Sequence, residues 1–195
     1  MICLISCVGL LFLSACNDDK DESEKEDKPE TEENKKEEEE SEDSEKVEEV
    51  DDQLELSIGD TGFFDSPLGT YEITVDTAEL LGKEFEGVES TRDDIILLKL
   101  TVKNTSDEQL LVDELIESME VADDLEGAGS GDNGVGFDSI DPLEGSIEAD
   151  EEITGHFLTT VNESDTYYFR KNPGTVKSSD SNQVIWIIEK DDLEK

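Results

Sequence analysis

The residues of this chain that could act as a nucleophile or a general base are few and far apart. The single His is His156, whereas the three Cys lie at positions 3, 7 and 16. Triad-type catalysis needs a base within hydrogen-bond reach of an activated nucleophile, and the sequence contains no Gly-X-Ser-X-Gly elbow that would present a Ser. We therefore predict that His156 is an ordinary exposed strand residue, that the chain has no catalytic residues, and that it is not an enzyme.

Carboxylates are abundant and are the other candidates for chemistry. The acids of Asp123–Gly127 and Asp132–Gly134 could clasp Ca²⁺, which prefers flexible carboxylate and carbonyl oxygens. Their spacing does not fit the EF-hand loop, and one His with carboxylates is a poor set of zinc ligands. We predict no cofactor and no dedicated metal site, and leave weak calcium binding open. Paired acids could also serve a small carboxylate-based surface hydrolase, but many pairs qualify and none is favoured.

Cys16 has the best-defined chemistry. It follows an apolar stretch, Ile2 to Phe12, that is shorter than the roughly 20 residues of a membrane span and is typical of a secretory signal. The sequence Leu13-Ser14-Ala15-Cys16 resembles the lipobox of bacterial lipoproteins. That resemblance implies that the Cys16 thiol carries a diacylglycerol, that the chain is cut after Ala15, and that the protein is lipid-anchored at the extracytoplasmic face of the bacterial cell membrane.

The distribution of charge divides the chain into three regions. Residues 1–15, the predicted signal peptide, carry no charged side chain. Residues 17–50 contain 19 acids and 6 Lys, with only Val47 and Val50 as apolar side chains. Such a composition cannot offset the entropy cost of ordering, so residues 16–53 are predicted to be a lipidated N-terminus and a disordered acidic linker. Residues 54–195 contain every Tyr and the Trp, and this region alone can build a core.

The total charge restricts the partners of the protein. The formal net charge is −41, which excludes a nucleic-acid binder because phosphate backbones are held by basic surfaces. The partners that we expect are the membrane, through the lipid on Cys16, and an envelope protein or glycan.

The region 54–195 is predicted to be a series of short strands. In Asp94–Asn104, Ile96, Leu98, Leu100 and Val102 alternate with more polar residues, which is typical of a half-buried strand with one wet face. The other predicted strands lie at Tyr71–Val75, Ile153–Val161 and Gln183–Glu189, and more weakly at Leu54–Ile58, Leu110–Val112, Met119–Ala122 and Tyr167–Arg170. Seven or eight such strands separated by turns predict an all-β, immunoglobulin-like antiparallel β-sandwich.

Three segments of this region carry more specific predictions. Asp107–Leu125 could also form a short amphipathic helix. Asp123–Asp138 has five Gly in sixteen residues and is predicted to be a loop at the end of the sandwich, where a partner would dock. Tyr167-Tyr168-Phe169 is predicted to be an alternating strand with Tyr168 inside, rather than a platform for stacking sugars.

The order of several motifs resembles the domain of unknown function family 4352. These motifs are Ile58-Gly59-Asp60, the YEITV strand, a long strand ending in Val102-Lys103-Asn104, and Thr154-Gly155-His156-Phe157. The resemblance covers about residues 55–190 and departs from the family at Ala149–Glu152, where a Pro-Gly turn is usual. It implies an immunoglobulin-like sandwich of the kind found on Gram-positive surface lipoproteins and related to a secreted mycobacterial immunoprotective antigen.

These observations together favour a cell-surface lipoprotein. We expect it to present an immunoglobulin-like binding or interaction module on residues 54–195, with an unknown ligand. The main alternative is a passive envelope or stress-related lipoprotein without a specific ligand.

Overall fold

The structure is a computed structural model that describes residues 51–178 and 181–194. The predicted signal peptide (1–15), the lipidation site Cys16 and the predicted linker as far as residue 50 lie outside the described residues. Within the described part of the chain the strands are β1 (Gln53–Leu56), β2 (Thr61–Ser66), β3 (Gly69–Gly82), β4 (Glu84–Phe85), β5 (Val88–Glu89), β6 (Asp94–Asn104), β7 (Leu110–Leu111), β8 (Met119–Ala122), β9 (Ser146–Ile147), β10 (Glu152–Val161), β11 (Thr166–Lys171) and β12 (Val184–Glu189). The helices are α1 (Val112–Glu117) and α2 (Pro173–Ser178), followed by a 3₁₀ turn at Lys190–Asp192.

Eight of these strands form two four-stranded sheets. The first sheet has the order β1-β12-β11-β8, and the second has the order β10-β6-β3-β2. The predicted all-β sandwich of seven or eight strands is confirmed. All neighbours are antiparallel except β1 and β12, which are parallel. These two strands lie at opposite ends of the folded sequence, so no tight hairpin dictates their relative direction.

The main core lies between the two sheets. On β6, the predicted inward residues Ile96, Leu98, Leu100 and Val102 are fully buried, and Lys99 on the other face is exposed. Full burial of an aliphatic side chain of this size contributes about 1.5–3 kcal/mol. Aromatic rings join the sheets, with the ring of Phe157 on β10 lying 5.2 Å from that of Phe169 on β11, and the ring of Phe64 on β2 lying 6.1 Å from that of Trp186 on β12.

The opposite face of the second sheet is not wet along its whole length. A smaller apolar cluster of Ile95, Ile140 and Leu158 is buried there. Phe85, from the hairpin of β4 and β5, and Phe137 pack against it, with 5.4 Å between their ring centroids. The prediction of a wet outer face for β6 therefore holds at Lys99 but fails at the end of the strand where these segments cross the sheet.

Both predictions for Asp107–Leu125 hold over part of the segment. Two short strands, β7 and β8, flank the six-residue helix α1, whose buried side chains are Val112, Leu115 and Ile116. A helix this short is stabilised by packing of its apolar face rather than by helix propensity. Asp113 and Glu114 in its first turn add a favourable interaction with the positive end of the helix dipole. Among the described residues no helix is long and apolar enough to cross a membrane.

Candidate functional site

The glycine-rich segment Asp123–Asp138 belongs to the framework of the sandwich. Strands β8 and β10 are edge strands of the two sheets and lie on the same side of the molecule. Ser130 exchanges two backbone hydrogen bonds with Val121 on the free edge of β8, with N···O distances of 2.9 and 2.8 Å. Exposed edges would otherwise present unpaired backbone groups to other chains. The segment is irregular as predicted, but its first half serves to cover an edge.

A buried ion pair holds this half of the segment in place. Glu120 on β8 and Arg170 on β11 are register partners, and their side chains are 5% and 1% exposed. The Arg170 Nε and Nη2 atoms donate to Glu120 Oε1 at 3.0 and 2.8 Å. Nη2 also donates to the carbonyl of Gly127 at 2.6 Å, Nη1 donates to the carbonyl of Leu125, and Asn172 Nδ2 donates to Glu120 Oε2 at 2.7 Å. Every charged group in the pair thus has several partners.

The second half of the segment covers the edge of β10 in a similar way. Asp132 Oδ1 accepts hydrogen bonds from the backbone N–H groups of Gly134 and Leu158, both at 2.9 Å. The Asn133 N–H donates to the Leu158 carbonyl at 2.7 Å. Burial raises the pKa of Asp132, and the backbone hydrogen bonds oppose that rise. This carboxylate therefore has a structural role at the edge of the sheet.

His156 also contributes to this edge. It lies on β10 next to the inward-pointing Phe157 and is partly exposed. Its backbone N–H donates to the carbonyl of Asp141 at 2.7 Å, and its Nδ1 atom accepts from the backbone N–H of Asp141 at 3.1 Å. The imidazole thereby anchors the segment that leads into Pro142, a contact that the sequence pattern alone did not indicate.

The acids suggested as calcium ligands are engaged in local hydrogen bonds. Asp123 Oδ2 accepts from Asn162 Nδ2 at 2.5 Å, and Asp124 Oδ1 accepts from the backbone N–H of Glu126 at 2.9 Å. In the part of the chain that the structure describes, no group of three or more His, Cys, Asp or Glu side chains is placed to hold a metal ion. Weak calcium binding stays a prediction.

The prediction that Tyr168 points inside is wrong. Tyr167 and Phe169 are the buried residues, at 1% and 0% exposure, whereas Tyr168 is half-buried on the other face of β11. The phase of the alternation is set by the neighbouring strand, because Phe169 lies opposite the core residue Trp186. A platform of three adjacent aromatic rings therefore does not form, since two of the rings belong to the core.

The corrected phase reveals Lys171, a residue that the sequence analysis did not single out. It lies two positions after Phe169, on the same inward face, and is the register partner of the core residue Met119. Lys171 is 3% exposed. Its Nζ atom donates to Ser181 Oγ at 3.1 Å, the one hydrogen bond that it makes among the described residues. Burial lowers the pKa of the Lys171 ammonium group.

Lys171 lines a cavity of about 440 Å³. The walls come from the β2–β3 turn, the end of α1 and the start of α2, namely Ser66, Pro67, Leu68, Glu114, Glu117, Ser118 and Thr175. Lys171 is the buried member of this set, and Pro67, Leu68, Glu114 and Glu117 are exposed. We call this the lysine cavity. Its volume lies within the range of about 300–1,000 Å³ that is usual for small-molecule sites.

A second cavity, of about 640 Å³, lies on the other side of α1. Its lining includes the carboxylates of Asp113, Glu117, Asp132 and Glu144, together with apolar side chains of which Val135 is 77% exposed. We call this the acidic cavity. Glu117 borders both cavities, so α1 is the wall between them.

The comparisons with known proteins show the fold and not the function. No protein-family profile matches the chain, and no curated protein matches it significantly. The yjhA protein from Bacillus subtilis has a similar structure, with a TM-score of 0.50 and 10% identity over 69% of this chain and 99% of that one. A B. subtilis protein named as a candidate lipoprotein, ycdA, aligns with a TM-score of 0.49 and 17% identity over 66% of this chain and 39% of its own length. The sandwich is thus a fold that the yjhA protein shares.

Proposed function

We propose that this protein is a lipid-anchored lipoprotein at the extracytoplasmic face of the bacterial membrane that presents a β-sandwich as a binding module. The observation that carries the anchor is Leu13-Ser14-Ala15-Cys16 behind an uncharged apolar stretch. Two acyl chains suffice for stable anchoring where one is marginal. The strongly acidic segment that follows Cys16 acts as a spacer between the membrane and the sandwich.

The binding role is supported by the end of the sandwich around α1. Two cavities open there on either side of one short helix, and both combine charged side chains with exposed apolar ones. A few polar groups placed among apolar walls are typical of ligand sites. A binding role therefore accounts for the cavities better than a passive envelope lipoprotein does. We propose binding rather than catalysis, with an envelope protein or glycan as the partner. In this proposal the segment Asp123–Asp138 covers the edges of β8 and β10.

The anchor is tested by metabolic labelling with a fatty acid. Wild-type protein is expected to carry the label, and Cys16→Ser to lose it and to leave the membrane fraction. Cys7→Ser is the matched control, because Cys7 lies within the predicted signal peptide and its loss leaves the label in place. Label that persists in Cys16→Ser would contradict the lipoprotein assignment.

The binding role is tested by capture from solubilised cell envelope and by a glycan array with the full chain. An envelope component retained by wild type is expected to be lost when Asp113→Asn and Glu144→Gln neutralise the acidic cavity. Glu55→Gln and Glu152→Gln, two exposed acids on β1 and β10, form the matched control. Failure of wild type to retain any envelope component or glycan would favour the passive alternative, and identical capture by both variants would place the binding surface outside the acidic cavity.

A further inference from the structure

The lysine cavity contains a charge that the fold alone does not explain. An ammonium group buried on the core face of a strand costs free energy unless several groups solvate it. Lys171 has three N–H donors, and the described residues supply one acceptor, Ser181 Oγ. The folded region is rich in carboxylates, yet none of the described ones lies within ion-pair distance of Lys171 Nζ. The other two donors have no acceptor among the described residues, and the proposal below assigns them to a ligand.

The walls of the same cavity carry the opposite charge. Glu114 and Glu117 lie on α1 at a spacing of three residues and are exposed at the rim. Residues three apart lie on the same side of a helix, so both carboxylates flank the opening. A simple anion would be attracted by Lys171 and repelled by this pair. A ligand that carries both charges satisfies all three groups.

The exposed apolar residues of the rim add a third requirement. Leu68 is 45% exposed and Pro67 is also exposed beside it, both in the turn between β2 and β3. They offer a surface to a small apolar side chain. The cavity of about 440 Å³ is of the size that small ligands occupy.

We infer that the lysine cavity binds a zwitterionic amino acid or short peptide, whose carboxylate accepts hydrogen bonds from Lys171 and whose ammonium group faces Glu114 and Glu117. The lowered pKa of Lys171 is consistent with this arrangement, because a bound carboxylate supplies the missing stabilisation of the charged form. The inference rests on the binding role proposed above and does not depend on the lipid anchor.

The test uses the full chain in detergent, with thermal melting followed by fluorescence of the single Trp. The probes are free α-amino acids and dipeptides at equal concentration. Each probe is also tested in an N-acetylated form and, separately, in a C-amidated form. A zwitterionic member at about 100 times its Kd is expected to raise Tm by about 5 °C. Blocking either end is expected to weaken binding at least about tenfold, as measured by titration calorimetry.

Two variants assign the charges of the ligand to the residues of the cavity. Lys171→Met is expected to abolish the ligand-induced shift while raising the Tm of the free protein, because Met fills the same volume without a buried charge. Glu114→Gln combined with Glu117→Gln is expected to weaken binding of the zwitterion about as much as N-acetylation of the probe does in wild type, and to lose the discrimination against N-acetylated probes. Lys99→Met, at an exposed Lys on β6, is the matched control and should leave binding unchanged.

Three results would overturn the inference. They are the absence of a shift with any probe, equal binding of acetate or of N-acetylated probes to wild type, and full binding by Lys171→Met. A Lys171→Met protein that is strongly destabilised would also assign this residue a structural role. None of these results decides the binding role itself, which the capture experiment on the acidic cavity tests separately.

Discussion

Arg170 and Lys171 are adjacent residues on β11 that are both buried and that have opposite environments. Arg170, on the outer face of its sheet, makes two hydrogen bonds to Glu120 and one each to the carbonyls of Leu125 and Gly127. The Nζ atom of Lys171, on the inner face, makes one hydrogen bond within the described residues, to Ser181, and Lys171 borders a cavity. The difference shows how a structural charge can be told from one available to a ligand. A buried cation whose donors are used is part of the framework, whereas one with free donors beside a cavity is a candidate binding group.

The largest expected effect on the free energy of unfolding comes from removing one partner of the buried ion pair between Glu120 and Arg170. Arg170→Met leaves the buried carboxylate of Glu120 with Asn172 as its remaining partner and removes the donors to two loop carbonyls. We expect a loss of about 3–5 kcal/mol in the free energy of unfolding, as is usual when one partner of a buried pair is removed. Urea denaturation measures it, with Lys99→Met as control. A loss below about 1 kcal/mol would mean that the pair contributes little to the framework.

The next effect probes the contact between the glycine-rich segment and this pair. A Cβ atom at Gly129 would lie 2.7 Å from the Val121 carbonyl oxygen and 2.8 Å from the Glu120 side chain. Gly129→Ala must therefore displace the backbone of β8 or the segment, and we expect it to cost about 1–3 kcal/mol. At Gly131 the nearest atom to an added Cβ is 3.8 Å away, an ordinary contact. Denaturation curves that place Gly129→Ala and Gly131→Ala at the same midpoint would contradict this packing.

A smaller and pH-dependent effect is expected at Lys171. Its pKa is lowered in the folded state from the ordinary value of 10.5, so the unfolded chain binds more protons between the two values. Stability contributed at this position therefore rises with pH through that window and is least below the folded-state pKa. We expect the Tm advantage of Lys171→Met over wild type to be greatest near neutral pH and to shrink towards pH 10.5. A constant difference across this range would indicate that the ammonium group is not penalised by burial.

The smallest effect is expected at an exposed ion pair. Lys190 Nζ lies 3.1 Å from Glu163 Oε1, and their side chains are 42% and 78% exposed. The hydrogen bond to Glu163 raises the pKa of Lys190, but solvent screens such a pair and its net contribution is small. Lys190→Gln should therefore melt within experimental error of wild type. A drop comparable with that of Arg170→Met would show that burial is not what separates the two pairs.

The strands of the core could be predicted because their signal is local. On β6 and β10, one buried side chain in every two residues defines the inner face, from Ile96 to Val102 and from Gly155 to Val161. No neighbour is needed to read that alternation. On β11 the same rule was insufficient, because three consecutive aromatic residues allow either phase and the pairing of Phe169 with Trp186 selects one.

The candidate sites could not be predicted because they depend on register and on distant segments. Glu120 and Arg170 are 50 residues apart and become partners when β8 pairs with β11. The lysine cavity is built from the turn after β2, from α1, and from residues around α2. His156 and Asp132 have side chains that could do chemistry, and the structure places both in hydrogen bonds that cover an edge strand.

The sequence by itself determined the all-β architecture, seven of the eight strands of the sandwich and the inner faces of its long strands, whereas β2 was not predicted and the predicted strand at Leu110–Val112 lies outside the two main sheets. These properties follow from short-range periodicity and from turn-forming residues, which act within a few positions of the chain. The tertiary structure decided which way β11 faces, that the glycine-rich segment covers two strand edges, and that one buried ammonium group borders a cavity. The reason is physical, since the environment of a charge is set by the elements packed around it, and those elements come from distant parts of the chain.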